Sequence, residues 1–175
     1  AQNTGFNTVT LQNIEGITGS DFNDVIFGSS GDNVLEGRGG NDLFHLASGG
    51  HDTLMYKLLT GSDATGGNGQ DTVNGFTVGV FETVADADRI NLGDLLQGYH
   101  PSLNGQYAAK YINGVATIKA GDAIGNYLKV EVLGDNTLIE VDRSGSGHNY
   151  ATLLTLNGVH TDLATLLANH QISLV

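Results

Sequence analysis

An apolar residue returns every ninth position in the first half of the chain, at Ile26, Leu35 and Phe44. After a one-residue slip Leu54 continues the series, and Val73 rejoins it beyond an interruption at 56–65. Two places before each of these stands a short side chain with an acceptor oxygen: Asp24, Asn33, Asp42, Asp52 and Asp71. The blocks read "GSDFNDVIF", "GSSGDNVLE", "GRGGNDLFH", a degenerate "ASGGHDTLM" and, from Gly66, "GGNGQDTVN". Such a beat marks a repeat of whole structural units. Each unit reads as a six-residue turn followed by a three-residue strand. Strand side chains alternate faces, so the middle residue of three points inward, which makes that column apolar. Successive turns then fall on opposite sides of a stack, with units two repeats apart directly above one another. Asp24 and Asp42 share one edge of that stack, and Asn33 and Asp52 share the other. Upstream, "NTVTLQNIEGITGS" reads as a lead-in strand, with Val9, Leu11, Ile14 and Ile17 in the core.

The beat stops after Asn74. Phe76, Val78 and Val80 alternate and predict a strand. "LGDLLQG" predicts a short helix or turn, and Asp88 is read as its cap, with a late metal ligand as the alternative. "VATIK", "YLKVEVLG", "LIEVDR" and "YATLLTLNGV" are β-rich segments divided by Gly, Asn and Asp turns, the signature of antiparallel strands packed as a small sandwich. "TDLATLLAN" predicts a helix capped by Thr161, with Leu163, Leu166 and Leu167 on one face and Asn169 at its end. "QISLV" predicts a closing strand.

Composition sharpens this picture. The chain carries 19 acidic and 7 basic residues, a net charge of -12, with 26 glycines and no cysteine in 175 residues. Nucleic acid is disfavoured as a partner, because phosphate contacts need Lys and Arg. Anionic membrane surfaces are disfavoured for the same reason, and no apolar run is long enough to span a bilayer. A cation is the favoured partner. Without cysteine there are no disulfides and no thiolate metal sites. Glycine permits the positive φ angles of tight turns and lets carbonyls crowd inward. Two stacked turns then offer carboxylates plus several carbonyls, an all-oxygen set suited to Ca²⁺ and not to zinc or copper.

"GSDFNDVIFGSSGDNVLEGRGGNDLF" and "GGNGQDTV" resemble the calcium-binding nonapeptides of RTX (repeats-in-toxin) proteins, which form a parallel β-roll. The resemblance implies an all-β fold: a parallel β-roll of nonapeptide repeats, then an antiparallel β-sandwich-like region with one or two short helices. The repeats with their lead-in strand occupy 1–75 and the β-rich remainder 76–175, packed as one continuous unit. Carried over from the family, one calcium site uses Ser20, Phe22 and Asp24 with Gly37, Gly39 and Asp42. A weaker site uses Ser29, Gly31 and Asn33 with Ala47, Gly49 and Asp52, because Asn33 lowers the local charge. Asp71 pairs with Asp42 or with Asp52; the interruption leaves its register open.

The second half, through "DRINLGDLLQGY", "TLIEVDRSGSG", "LLTLNGV" and "LATLLANHQISLV", resembles the C-terminal target region of type I secretion substrates, as at the end of giant RTX adhesins. This implies a piece of a larger exported, extracellular or cell-surface protein that folds on calcium outside the cell. Its partners would be calcium ions, transiently the type I secretion machinery, and an extracellular surface or glycan met through the rest of the parent protein.

No catalytic constellation stands out. There is no cysteine nucleophile, G-x-S-x-G elbow or H-E-x-x-H pair, and the six histidines are scattered without ligand spacing. "RSGSGHN" lacks the Lys-Ser/Thr pair of a phosphate loop and reads as a plain loop. The chain is therefore read as a non-enzyme. Two alternatives remain: a polysaccharide-binding module like those of alginate epimerases, which would need Lys110, Lys119, Lys129 and Arg143 as a basic strip, and the export tail of a protease or lipase.

Overall fold

The computed structural model describes residues 2–3, 8–9, 14–47, 49–59, 61–96, 98–99, 109–118 and 123–174. Two short strands, β1 (Gln2–Asn3) and β2 (Thr8–Val9), pair antiparallel at the start. The nine-residue beat then produces β3 (Gly16–Thr18), β4 (Val25–Phe27), β5 (Val34–Glu36), β6 (Leu43–His45) and β7 (Thr53–Met55). After the interruption come β8 (Asp71–Asn74) and β9 (Arg89–Asn91). The hairpin of β10 (Ala109–Ile112) and β11 (Val115–Ile118) precedes a 3-10 turn at Ile124–Asn126. The chain ends with β12 (Leu128–Leu133), β13 (Asn136–Val141), β14 (Ala151–Asn157), helix α1 (Leu163–Ala168) and β15 (Ile172–Ser173).

The strands form a parallel β-roll. Strands β15-β9-β7-β5-β3, in that order, build one face, and β8-β6-β4 build the other. Ile26 lies opposite Phe44 and Phe44 opposite Val73; Ile17, Leu35, Leu54 and Ile90 form the matching column across the roll. From Ile26 and Leu35 onward these inward side chains are at most 1 % exposed, so the periodic column is the core. The second half continues the same sheet. β14 pairs parallel with β8, Leu156 opposite Val73, and β13 and β12 follow antiparallel. One face of the roll thus grows from three-residue strands into strands of six and seven residues.

Several local expectations shift. No strand forms at Phe76–Val80; residues 75–88 are one long turn between β8 and β9. Its amides bond to side chains and loop carbonyls instead of a neighbouring strand: Thr77 N to Asp88 Oδ2, Gly79 N to Gln171 Oε1 and Phe81 N to Asn169 O. The helix cap is Asp162, whose Oδ1 accepts from Thr165 N at 2.7 Å, and not Thr161. Thr161 is buried, and its N–H donates to Thr137 Oγ1. Asp88 caps no helix. Val9 and Leu11, expected in the core, lie outside the residues whose side chains are described.

Candidate metal centre

The turns stack on two edges. One edge carries 19–24, 37–42 and 66–71; the other carries 28–33, 49–52 and 75–88. Gly40 shows why glycine is needed here. Its φ is +113°, and a Cβ would sit 2.6 Å from the Phe22 carbonyl carbon in the turn below. Any side chain would strain the backbone and push the turns apart.

Each edge holds a ladder of acidic rungs. On the first, Asp24 N donates to Asp42 Oδ1 at 2.8 Å, and Asp42 N donates to Asp71 Oδ1 at 2.8 Å. On the second, Asn33 N donates to Asp52 Oδ1 at 2.9 Å, and Asp52 N to Asp88 Oδ1 at 3.1 Å. The register left open by the interruption is therefore fixed: Asp71 stands above Asp42. Asp88 is the third rung of the second ladder, a place that spacing alone did not reveal because 35 residues separate it from Asp52.

The middle rungs differ from the ends. Asp42 Oδ2 and Asp52 Oδ2 are buried and accept no hydrogen bond from the described residues. The upper rungs have both oxygens engaged: Tyr56 Oη donates to Asp71 Oδ2 at 2.9 Å, and Thr77 N donates to Asp88 Oδ2 at 2.8 Å. At the lower end Asp24 Oδ2 accepts from Ser20 N and Ser20 Oγ within its own turn. Asn33 Oδ1 does likewise with Ser29 N, while its Nδ2 donates to Ile14 O and Ser29 Oγ. That amide points donors where a carboxylate would point an acceptor.

Oxygens from different turns converge where glycine leaves room. Around the position of a Cβ on Gly28 lie Asn33 Oδ1 at 2.9 Å, Asp52 Oδ2 at 3.6 Å and the His45 carbonyl at 3.7 Å. Around the same point on Gly19 lie the Gly37 carbonyl at 2.6 Å and Asp24 Oδ2 at 2.8 Å. Among the described residues no three acidic or imidazole side chains gather as a metal cluster, so carbonyls must complete any coordination shell. Of the expected residues, Asp24 and Asp42 meet on one edge and Asn33 and Asp52 on the other. Gly39 N donates to the Ser20 carbonyl at 3.3 Å. The Phe22 ring is 78 % exposed, leaving only its backbone to serve the site.

Burial sets the electrostatics. It pushes the carboxyls of Asp42 and Asp52 up to about 6, Asp88 to about 7 and Asp71 to about 8, against the lowering effect of the amides that each accepts. The neighbouring acid of the same ladder adds to the rise at Asp42, Asp71 and Asp88. Buried, mutually repelling carboxylates with unpaired oxygens call for a positive charge.

Residues 18–54 match the family model of the RTX calcium-binding nonapeptide repeat, four copies. This segment is similar to RTX-type repeats. Calcium is the ion that the repeat family binds. No curated protein matches the chain. Among solved structures the chain is similar to the solution structure of the AlgE6R3 subunit from the Azotobacter vinelandii mannuronan C5-epimerase. The identity is 22 % and the TM-score 0.42, over 95 % of this chain and 87 % of that one.

Gly37 offers a direct test of the site. A Cβ there would lie 2.0 Å from Asp42 Oδ2, whereas one on Gly16 meets nothing within 4 Å. Overpacking of this kind costs about 1–3 kcal/mol. Gly37→Ala is expected to weaken calcium binding by roughly tenfold or more on that scale, and Gly16→Ala to leave it unchanged, as read by isothermal calorimetry.

Proposed function

We propose that the chain is a non-catalytic, calcium-gated folding module at the exported end of a larger secreted or cell-surface protein, most simply an adhesin. The observation that carries the reading is the pair of buried, unpartnered oxygens on Asp42 and Asp52, in the middle of two acidic ladders. The ligand set we propose is Ser20, Phe22, Asp24, Gly37, Gly39 and Asp42 on one edge, and Ser29, Gly31, Asn33, Ala47, Gly49 and Asp52 on the other. Asp71 extends the first edge and Asp88 the second. Oxygen ligands in flexible number suit Ca²⁺, which accepts six to eight of them, better than the smaller and stricter Mg²⁺.

Gating follows from affinity. Extracellular calcium modules bind with Kd of about 10⁻⁴–10⁻³ M, far weaker than cytosolic sensors and buffers. Inside a cell such sites stay unfilled, and the repelling carboxylates keep the short strands apart. That leaves a flexible chain able to thread a type I secretion channel. Outside, millimolar calcium fills the sites and closes the roll. Export is tested by fusing this chain to a reporter in cells with and without the type I machinery. Secretion that does not depend on the machinery would remove that part of the reading.

The polysaccharide-binding reading needs free cations. Lys129 is shared by Glu131 and Glu140, at 2.7 and 3.0 Å. Arg143 donates to the carbonyl oxygens of Gly61 and Asp63. The side chains of Lys110 and Lys119 lie outside the described residues. Titration with an anionic polysaccharide in calcium separates the two readings: saturable binding would favour the glycan module over the folding module alone.

Calcium binding is also expected to depend on pH. The rung carboxyls have folded pKa values raised above the ordinary 3.8, so the metal-free fold holds extra protons relative to the unfolded chain. Its stability falls as pH rises from about 4 to about 8. Calcium needs the ionised form, so affinity moves the opposite way and rises across the same window. Between pH 8 and pH 5.5 the apparent affinity is expected to drop at least about tenfold. Calorimetry in two buffers of different ionisation enthalpy should also register proton release near pH 7.

A further inference from the structure

A second set of bonds ties the turns together, running the opposite way to the rungs. Where each rung carboxylate reaches down to the turn below, the residue just before the rung reaches up. Asn23 Oδ1 accepts from Asn41 N in the turn above at 2.8 Å, and Asn41 Oδ1 accepts from Gln70 N at 3.0 Å. On the other edge Asp32 Oδ1 accepts from His51 N at 2.8 Å. Each of these three steps carries a reciprocal pair: Asn23 with Asp42, Asn41 with Asp71, and Asp32 with Asp52. The step above His51 departs from this. Its Nδ1 lies 2.9 Å from the Ala87 carbonyl, which can only accept, so that ring nitrogen carries the proton. Close stacking makes the upward reach possible. A Cβ on Gly69 would run into the Gly40 carbonyl, and one on Gly50 into the Gly31 carbonyl. The amides of Gln70 and His51 follow directly on these glycines, and so come down onto a side-chain oxygen of the turn below.

On the first edge the two sets differ in charge. Asp42 gives one oxygen to an amide, and its carboxylate is repelled by that of Asp24. The carboxamides of Asn23 and Asn41 are neutral, so their bonds hold whether or not an ion is present. They fix how far apart the turns 19–24, 37–42 and 66–71 stand, and with that the separation of Asp24, Asp42 and Asp71. We propose that Asn23 and Asn41 are positioning residues for calcium on this edge: they ligate nothing themselves and set the turn spacing to which the ion is fitted. Preference among ions of equal charge follows cavity size, ligand number and flexibility. The spacing held by these two side chains therefore helps decide which ion the edge accepts.

This inference rests on the calcium reading above, and the test separates the two. Wild type, Asn41→Ala and Asn41→Asp are titrated by calorimetry with calcium and with strontium, a larger ion of the same charge. Bound ions are counted by native mass spectrometry. A general loss of stability lowers affinity for both ions by the same factor, whereas loosened spacing penalises the fitted ion more. Asn41→Ala is expected to bind as many ions as wild type, with calcium affinity down about tenfold and strontium affinity down less than about threefold. Asn41→Asp keeps the accepting oxygen and should retain the wild-type preference. An equal fall for both ions, no fall at all, or a lost ion in Asn41→Ala would overturn the proposal. So would a lost preference in Asn41→Asp. A wild-type chain that binds neither ion would remove the calcium reading itself. A further measurement needs no variant. The amides of Asn41 and Gln70 make these bonds at the exposed rim of the roll. At saturating calcium they should exchange slowly by NMR; free exchange at both would show the upward bonds absent and sink the proposal, even if Asn41→Ala fails to fold.

Discussion

Chelating calcium is expected to abolish the roll's circular-dichroism signature of β structure and its cooperative thermal transition, with both returning on calcium titration. The strands β3 to β7 are three residues long and share few backbone hydrogen bonds. They are held by one apolar column and by the rungs at their ends. Without an ion, Asp42 Oδ2 and Asp52 Oδ2 are buried with no partner, a penalty of about 1–3 kcal/mol each and more for a charged group. With the ion, each site contributes RT ln(1 + [L]/Kd), about 1.4 kcal/mol at ten times Kd. Marginal folds of this size turn on differences of a few kcal/mol, so several coupled sites suffice to switch it. Loss should be uneven. Hydrogen exchange is expected to rise first in residues 14–59 and last in β12–β13–β14, where strands of six and seven residues pair without help from the ladders. A chain with unchanged spectra and melting in excess chelator would defeat the calcium-gating account.

The nine-residue beat made β4 to β7 and both edges of the roll legible, because each inward residue and each rung sits at a fixed offset from a glycine turn. Even the slip at Leu46 was readable, and the register Val34–Thr53 carries it as one extra residue. Sequence failed where the beat failed. Asp71 lay across an interruption, and only the β6–β8 pairing places it above Asp42. Phe76, Val78 and Val80 alternate like a strand, yet no neighbouring strand takes their amides. The amides of Thr77 and Gly79 between them go instead to Asp88 Oδ2 and Gln171 Oε1, 11 and 92 residues away. The cap fell on Asp162 and not Thr161 because the neighbouring carboxylate faces the Thr165 amide, while Thr161 is buried against Thr137. Tyr56, the lid on Asp71, has no spacing signature: it lies 15 residues away, at the start of the interruption.

Asp42→Asn is expected to change stability in opposite directions with and without calcium. The substitution keeps Oδ1, which accepts from Asp24 N at 2.8 Å, and removes the charge. It replaces the unpartnered Oδ2 with an amide group able to donate. The end rung of the other edge is already an amide, Asn33, which accepts from Ser29 N and donates to Ile14 O and Ser29 Oγ. In chelator, supported by an excluded osmolyte so that folded molecules are populated, the variant should be more stable than wild type at neutral pH, because burying a neutral amide costs less than burying an unpaired charge. In saturating calcium it should be less stable, with affinity on the first edge lowered at least about tenfold, because a charged ligand shared along the ladder is gone. Asp42→Ala removes both oxygens and should lose stability under both conditions. Urea titrations of the three chains, each with calcium and with chelator, decide the matter. If Asp42→Asn weakened the fold equally in both, the Asp42 carboxylate would be a structural acceptor for Asp24 alone, and the cation would have no place in the ladder.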